Sequence, residues 1–254
     1  MPDLFIPELS IPELSIPELW LVFAAFFTST MTAVFGIGGG VMLIGLMPGA
    51  IPATAIIPVH GLVQLSSNVS RAWFGRRFIR WDYLKRFLPG AIVGTVLASQ
   101  FVLSINMDYI PLVLGLFLLI ITWAPIPSLQ HLPARFFSFG IIHSLMSTLG
   151  GAAGPLLAAF LSREGFNRDT LVATFAAFMS TSHLLKVSAF TALGFDFMAW
   201  LPLMLLMSIS VILGSWFGTR IRPVIPEINF KTIFRWIITL LALRMMVLSL
   251  LEIF

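Results

Sequence analysis

Phe35-Gly36-Ile37-Gly38-Gly39-Gly40 interrupts an apolar run that begins at Leu19, and Gly150-Gly151-Ala152-Ala153-Gly154 interrupts another that begins at Ala134. Glycine in a helix interior is about 1 kcal/mol worse than alanine, so so dense a cluster ends a helix where it stands. The apolar stretches that follow, residues 41–51 and 155–161, are too short to cross a bilayer, which takes roughly 20 apolar residues. Both read as half-helices set behind a break.

Working outward, further apolar runs bounded by charge or proline cover residues 53–74, 84–103, 109–123, 170–193, 197–218 and 233–254. Of the 254 residues 58% are hydrophobic and 10% charged, with a mean hydropathy of +0.99. Soluble domains carry about 25% charged residues. The fold class expected is therefore an all-α polytopic membrane protein, and no length remains for a soluble catalytic domain. The formal charge of +4 does not point to nucleic acid, because the cations fall mainly at the ends of apolar runs, where they orient a protein in its membrane. No cysteine is present, which excludes disulfides, thiol catalysis and cysteine metal sites. The N-terminus repeats a pentad, Ile6-Pro7-Glu8-Leu9-Ser10 through Ile16-Pro17-Glu18-Leu19-Trp20. Prolines at that spacing do not suit a helix interior, so residues 1–18 are expected to form an acidic tail.

The two breaks belong to a wider correspondence. An offset of 114 residues superposes Gly36 on Gly150, Gly40 on Gly154, Ser66 on Ser180, Ser67 on Thr181 and Asp82 on Asp196. Internal repeats are how many transporter folds are built, so residues 19–125 and 133–254 read as two repeats, each a broken hairpin plus three transmembrane helices. The connection holding Arg76, Arg77, Arg80, Lys85 and Arg86 is cytoplasmic by the positive-inside rule. Its counterpart around Gly194 and Asp196 has no cation, and counting crossings places it outside. Phe197 onward then returns inward to deliver Arg220, Arg222, Lys231 and Arg235 to the cytoplasm. The repeats are therefore expected to be inverted.

The same segments resemble the TauE/SafE sulfite exporter family of membrane transporters. The resemblance rests on the first glycine break, on Ser66-Ser67, on the basic turn from Arg76 to Trp81-Asp82, on Pro89-Gly90-Ala91-Ile92-Val93-Gly94, and on the echo in the second half. It implies a multi-pass carrier in the plasma (inner) membrane for sulfite or small organosulfur anions such as sulfonates. An anion channel and a carrier of small carboxylates are the alternatives.

Candidate substrate-binding residues follow from the chemistry of an anion in a membrane. Backbone broken at membrane depth is tolerated only where it is buried in protein or lines a watery cavity. The free N–H groups at the start of a half-helix attract anions, which marks Gly36, Gly38, Gly39, Gly40, Gly150 and Gly151. Ser66, Ser67 and Asn68 in one half face Ser180, Thr181 and Ser182 in the other, offering hydroxyl and amide donors without fixed charge. Arg71 and Lys186 stand four residues after Ser67 and Ser182, on the same helix faces, and are read either as an electrostatic funnel or as cations snorkelling to the interface. Arg244 lies deeper in its helix and reads as functional or as a bond to neighbouring carbonyls. His60, His143 and His183 lack the spacing of a metal site, leaving proton coupling through one histidine as their functional reading. All eleven acids fall in the tail, at connections or near the last residues, which disfavours cation transport through carboxylates. No Gly-x-Ser-x-Gly or His-Glu-x-x-His run is present, so no enzyme is expected. No cofactor is called for; the expected partners are a small anionic substrate and the lipid bilayer, and self-association into a homo-oligomer is compatible with this reading.

Overall fold

The computed structural model describes residues 14–36, 38–102, 109–125, 131–225 and 230–253. Among them the chain forms α1 (Ile16–Phe35), α2 (Gly39–Leu46), α3 (Ala53–Phe74), α4 (Trp81–Val102), α5 (Ile110–Trp123), α6 (Arg135–Leu149), α7 (Gly154–Leu161), α8 (Arg168–Ala192), α9 (Leu201–Ile221) and α10 (Phe230–Ile253). The short elements α2 and α7 lie where the sequence places half-helices. The first helix starts within the stretch expected to be tail, since Pro17 occupies its first turn, where a missing N–H costs nothing. The Ser15 hydroxyl accepts from Glu18 N–H while the Glu18 carboxylate accepts from Ser15 N–H at 2.8 Å, a reciprocal cap that fixes this start. The earlier pentads lie almost wholly outside the described residues.

Three helical spans, Ile16–Phe35, Arg168–Ala192 and Met198–Val224, are long and apolar enough to cross a membrane by length and composition. Helices α3 and α4 at 22 residues and α10 at 24 match the bilayer in length. Polarity is distributed as a bilayer requires. Phe23, Phe27, Val96, Leu205 and Leu213 are exposed, whereas His60, His143, His183, Arg71 and Lys186 are buried, and ionisable groups within membranes face the bundle interior in this way. The chain is an all-α polytopic membrane protein.

The packing is symmetric under exchange of the two halves. Helix α4 packs on α6 and α1 on α9, α3 on α9 and α8 on α4, while α3 pairs with α8 and α5 with α10. Within each cross-half pair the glycines give the polarity. Gly90 and Gly94 of α4 lie against Phe137 and Ile141 of α6, so these two run parallel, as do α1 and α9, where Gly214 and Gly218 lie against Phe26 and Thr30. By contrast, Gly61 and Gly75 of α3 lie beside Lys186 and Ala173 of α8, so that pair is antiparallel. Helix α5 opposes α10 likewise, with Gly115 beside Met246 and Trp123 Nε1 donating to Thr239 Oγ1 at 2.8 Å.

Each break reverses the chain. Gly36 takes a left-handed conformation (φ 89°) that ends α1, and its N–H returns to the Thr32 carbonyl at 2.8 Å. Gly39, two residues into the return, is pressed so closely to α1 that any Cβ would overlap the Thr28 carbonyl. In the second half Arg135, at the start of α6, pairs with Glu164 beyond the end of α7 at 3.0 Å, closing the second hairpin.

Candidate anion site between the two breaks

Because α2 and α7 fold back to the bundle interior, their N-termini meet α3 and α8 in the middle of the molecule. A cavity of about 20 Å³ lies there, lined by Thr32, Gly38, Gly40, Val41, His60, Gln64, Asn68, Arg71, Ala152, Gly154, Phe175, Met179 and His183, with room for about one water molecule. It is closed to both sides: His60, His183, Asn68 and Arg71 are 0%, 1%, 2% and 3% exposed. A wider recess of about 260 Å³ opens elsewhere, lined by residues 48–53 with Ile56, Pro111, Leu248 and Ser249. The recess is lined mainly by apolar residues and backbone, with Arg244 bonded to its Pro48 carbonyl.

The polar groups around the cavity are arranged as donors. Arg71 Nη2 donates to Ser67 Oγ at 3.0 Å and to Asn68 Oδ1 at 3.2 Å, while its Nε and Nη1 are buried without a partner. A guanidinium with free N–H groups in a buried pocket is a strong oxyanion receptor. His60 Nε2 donates to the Gly40 carbonyl at 2.8 Å, tying α3 to the first break. Lys186 is fully buried, and its Nζ donates to the Gly151 carbonyl at 2.6 Å, tying α8 to the second break. The first turn of α2 adds amides; Gly39 N–H is taken by Thr32 Oγ1 at 2.9 Å, and those of Gly40 and Val41 have no intrahelical partner. In α7 Pro155 has no N–H to offer. No aspartate or glutamate lines the cavity, and no cluster able to hold a metal ion occurs among the described residues.

The residues singled out from sequence divide clearly. Gly38, Gly40, Asn68 and Arg71 line the cavity. Lys186 and Gly151 stand beside it, bonded to each other. Neither Arg71 nor Lys186 snorkels; both side chains end in the interior. Gly36 faces Val172, and Gly150 faces Phe117 and Met146. Ser67 joins Ser29 of α1 and Ser215 of α9 at 2.9 to 3.5 Å, touching the site only by receiving Arg71. Ser66 bonds Ser208 of α9 at 3.1 Å. Ser180 and Thr181 return to the carbonyls one turn back, at 2.8 and 3.1 Å. Ser182 does not meet Lys186 but sits 3.2 Å from His143 Nδ1. Arg244 reaches the carbonyls of Gly45 and Pro48 at 3.4 and 3.1 Å, holding the far end of α2.

Thr32 and Gln64 were not singled out from sequence, and both line the cavity. The signal for Gln64 lies in the spacing: His60, Gln64, Asn68 and Arg71 are four, four and three residues apart, one stripe along α3.

The family description "Sulfite exporter TauE/SafE" matches residues 21–245. No curated protein and no solved structure matches the chain. The matched stretch contains both breaks and every residue of the cavity lining, and the chain belongs to the TauE/SafE sulfite exporter family of membrane transporters, which are not enzymes.

Proposed function

We propose that this chain is a secondary transporter that carries a small anion, sulfite or a sulfonate, through the cavity between the breaks, with its two repeats inverted across the plasma membrane. The observation that carries the reading is the buried Arg71, whose Nε and Nη1 have no partner, in a cavity lined by donors and by no carboxylate. A buried cation is costly unless paired, and an oxyanion supplies the missing partner. Antiparallel pairing of α3 with α8 and of α5 with α10 supports inverted repeats, since a helix and its equivalent run oppositely only when the repeats are inverted.

The cavity is smaller than an oxyanion, so loading requires α3 and α8 to part on one side. At the end where α1 finishes and α8 begins, Arg168 donates to the Val34 carbonyl at 2.7 Å and Arg222 pairs with Asp169. These bonds hold that end shut and break when it opens. Alternating release at the two ends would pass the anion across without a continuous pore.

The test is flux in proteoliposomes. Saturable uptake of labelled sulfite, with counterflow against internal sulfite or methanesulfonate, is expected; unitary currents without counterflow would establish a channel, and preferential counterflow by acetate a carboxylate carrier. Orientation is tested by single cysteines at Arg77, Arg220 and Ala192. The first two should label only from the cytoplasm and the third only from outside; same-side labelling of Arg77 and Ala192 would overturn the inversion.

A further inference from the structure

Two histidines line the cavity and a third, His143, is buried behind it, and anion binding alone does not require them. His183 lines it with both ring nitrogens buried and without a partner. Its ring stands edge-on to His60 at 5.8 Å between centroids. On the preceding residue of α8, Ser182 Oγ lies 3.2 Å from His143 Nδ1, and His143 Nε2 is again buried and unpartnered. His60 uses Nε2 on the Gly40 carbonyl and leaves Nδ1 unpartnered. Three helices, α3, α6 and α8, thus bring imidazoles to one place, next to Arg71 and Lys186.

We propose that His183 takes up a proton when the anion binds, so that anion and proton cross together. This rests on the anion reading above and adds the coupling ion to it. The argument is one of charge. The groups whose charge reaches His183 are Lys186 on its own helix, His60 and Arg71 on α3, and His143 on α6. Of the other elements packed on α8, α7 carries no titratable residue, the titratable residues of α4 run only from Asp82 to Arg86 at its start, and Arg76 and Arg77 before it are exposed. Two cations without a carboxylate oppose a third charge on the imidazole. A bound anion cancels that field, and the imidazolium then offers it two N–H donors instead of one. Arginine does not release its proton, Lys186 Nζ is engaged by Gly151, and His60 and His143 each already hold a partner at one ring nitrogen, so the change is assigned to His183, which is unpartnered at both.

Linkage makes the effect reciprocal: anion binding draws in a proton, and a proton tightens the anion. Affinity therefore rises as pH falls, by up to about tenfold per pH unit for one coupled proton. Methanesulfonate is the probe, because its own charge does not change near neutral pH. Titration calorimetry on the purified full-length protein, in buffers of different ionisation enthalpy, counts protons taken up per anion bound. Uptake approaching about one proton is expected in the wild type; in His183→Gln methanesulfonate binds more weakly and the binding that remains takes up no proton. A wild-type binding enthalpy that does not depend on the buffer would overturn the proposal, and needs no variant to fold. Uptake that survives in His183→Gln and disappears in His60→Gln would overturn the assignment to His183. Absence of binding by methanesulfonate, sulfate and sulfite alike would instead remove the anion site itself.

Discussion

The two breaks do the same topological work with different chemistry. In the first, Gly36 and Gly38 adopt positive φ (89° and 106°), and the return helix begins with the Gly39 amide donating to Thr32 Oγ1. In the second, Ala152 and Ala153 replace two glycines, Pro155 removes an amide, and the Gly151 carbonyl is held by a buried ammonium. The first break thus lines the cavity with Gly38 and Gly40, whereas the second bonds Lys186 through its Gly151 carbonyl. On the transport reading proposed above, one half would grip the anion and the other would position the cation beside it.

The sharpest way to break this comparison is at Gly39 and Ala153, which are equivalent under the 114-residue offset. A Cβ at Gly39 meets the Thr28 carbonyl, which is backbone and cannot swing away. Gly39→Ala should therefore cost about 3 kcal/mol or more, at the upper end for overpacked interiors, read as lost monodisperse protein or a lowered melting temperature. The close approach to α1 makes even a methyl prohibitive here. Ala153→Gly adds backbone freedom and removes one buried methyl, and should cost about 1–2 kcal/mol. Equal effects at the two positions would erase the asymmetry.

A second comparison sets Arg71 against Lys186. Arg71→Met removes the unpartnered donors, so sulfite affinity should fall more than about tenfold, 1.4 kcal/mol, in protein that still folds. Lys186→Met instead strands the Gly151 carbonyl, and the larger change should be in melting temperature, reflecting the roughly 1–3 kcal/mol of an unpaired buried acceptor. If Lys186→Met abolished binding while leaving stability untouched, the ammonium would have to be a direct ligand. The smallest effects belong to Ser66→Ala and Ser180→Ala. Both hydroxyls already have partners away from the cavity, and affinity should stay within about twofold, below 0.5 kcal/mol.

These contrasts show how far the residues alone could be read. Helix spans and both half-helices are legible because apolar length and glycine punctuation are local properties; the run expected over residues 53–74 is α3 itself. Of the cavity lining, Gly38, Gly40, Asn68 and Arg71 were legible in the sequence. Ser66, Ser67 and Asn68 are consecutive, so about 100° of helix separates each from the next, and only Asn68 turns to the cavity. Which face of α3 is central depends on where α8, α9 and α2 pack, a tertiary fact. The stripe from His60 to Arg71 carried that information in its spacing, but polarity in a contiguous cluster is easier to notice than polarity one turn apart.

The glycines of α4 and α6 have a mechanical consequence. Gly90, Gly94 and Gly140 bring these helices into backbone contact, as Gly214 and Gly218 do for α9 on α1, leaving no lubricating layer of side chains. Such pairs cannot slide and must travel as stiff two-helix struts. Each strut takes one helix from either half of the sequence, so the struts do not coincide with the two halves of the chain. The transport mechanism proposed above places its moving seam between the struts, along α3 and α8. A cross-link within a strut should leave turnover intact, and one stapling α3 to α8 should arrest it.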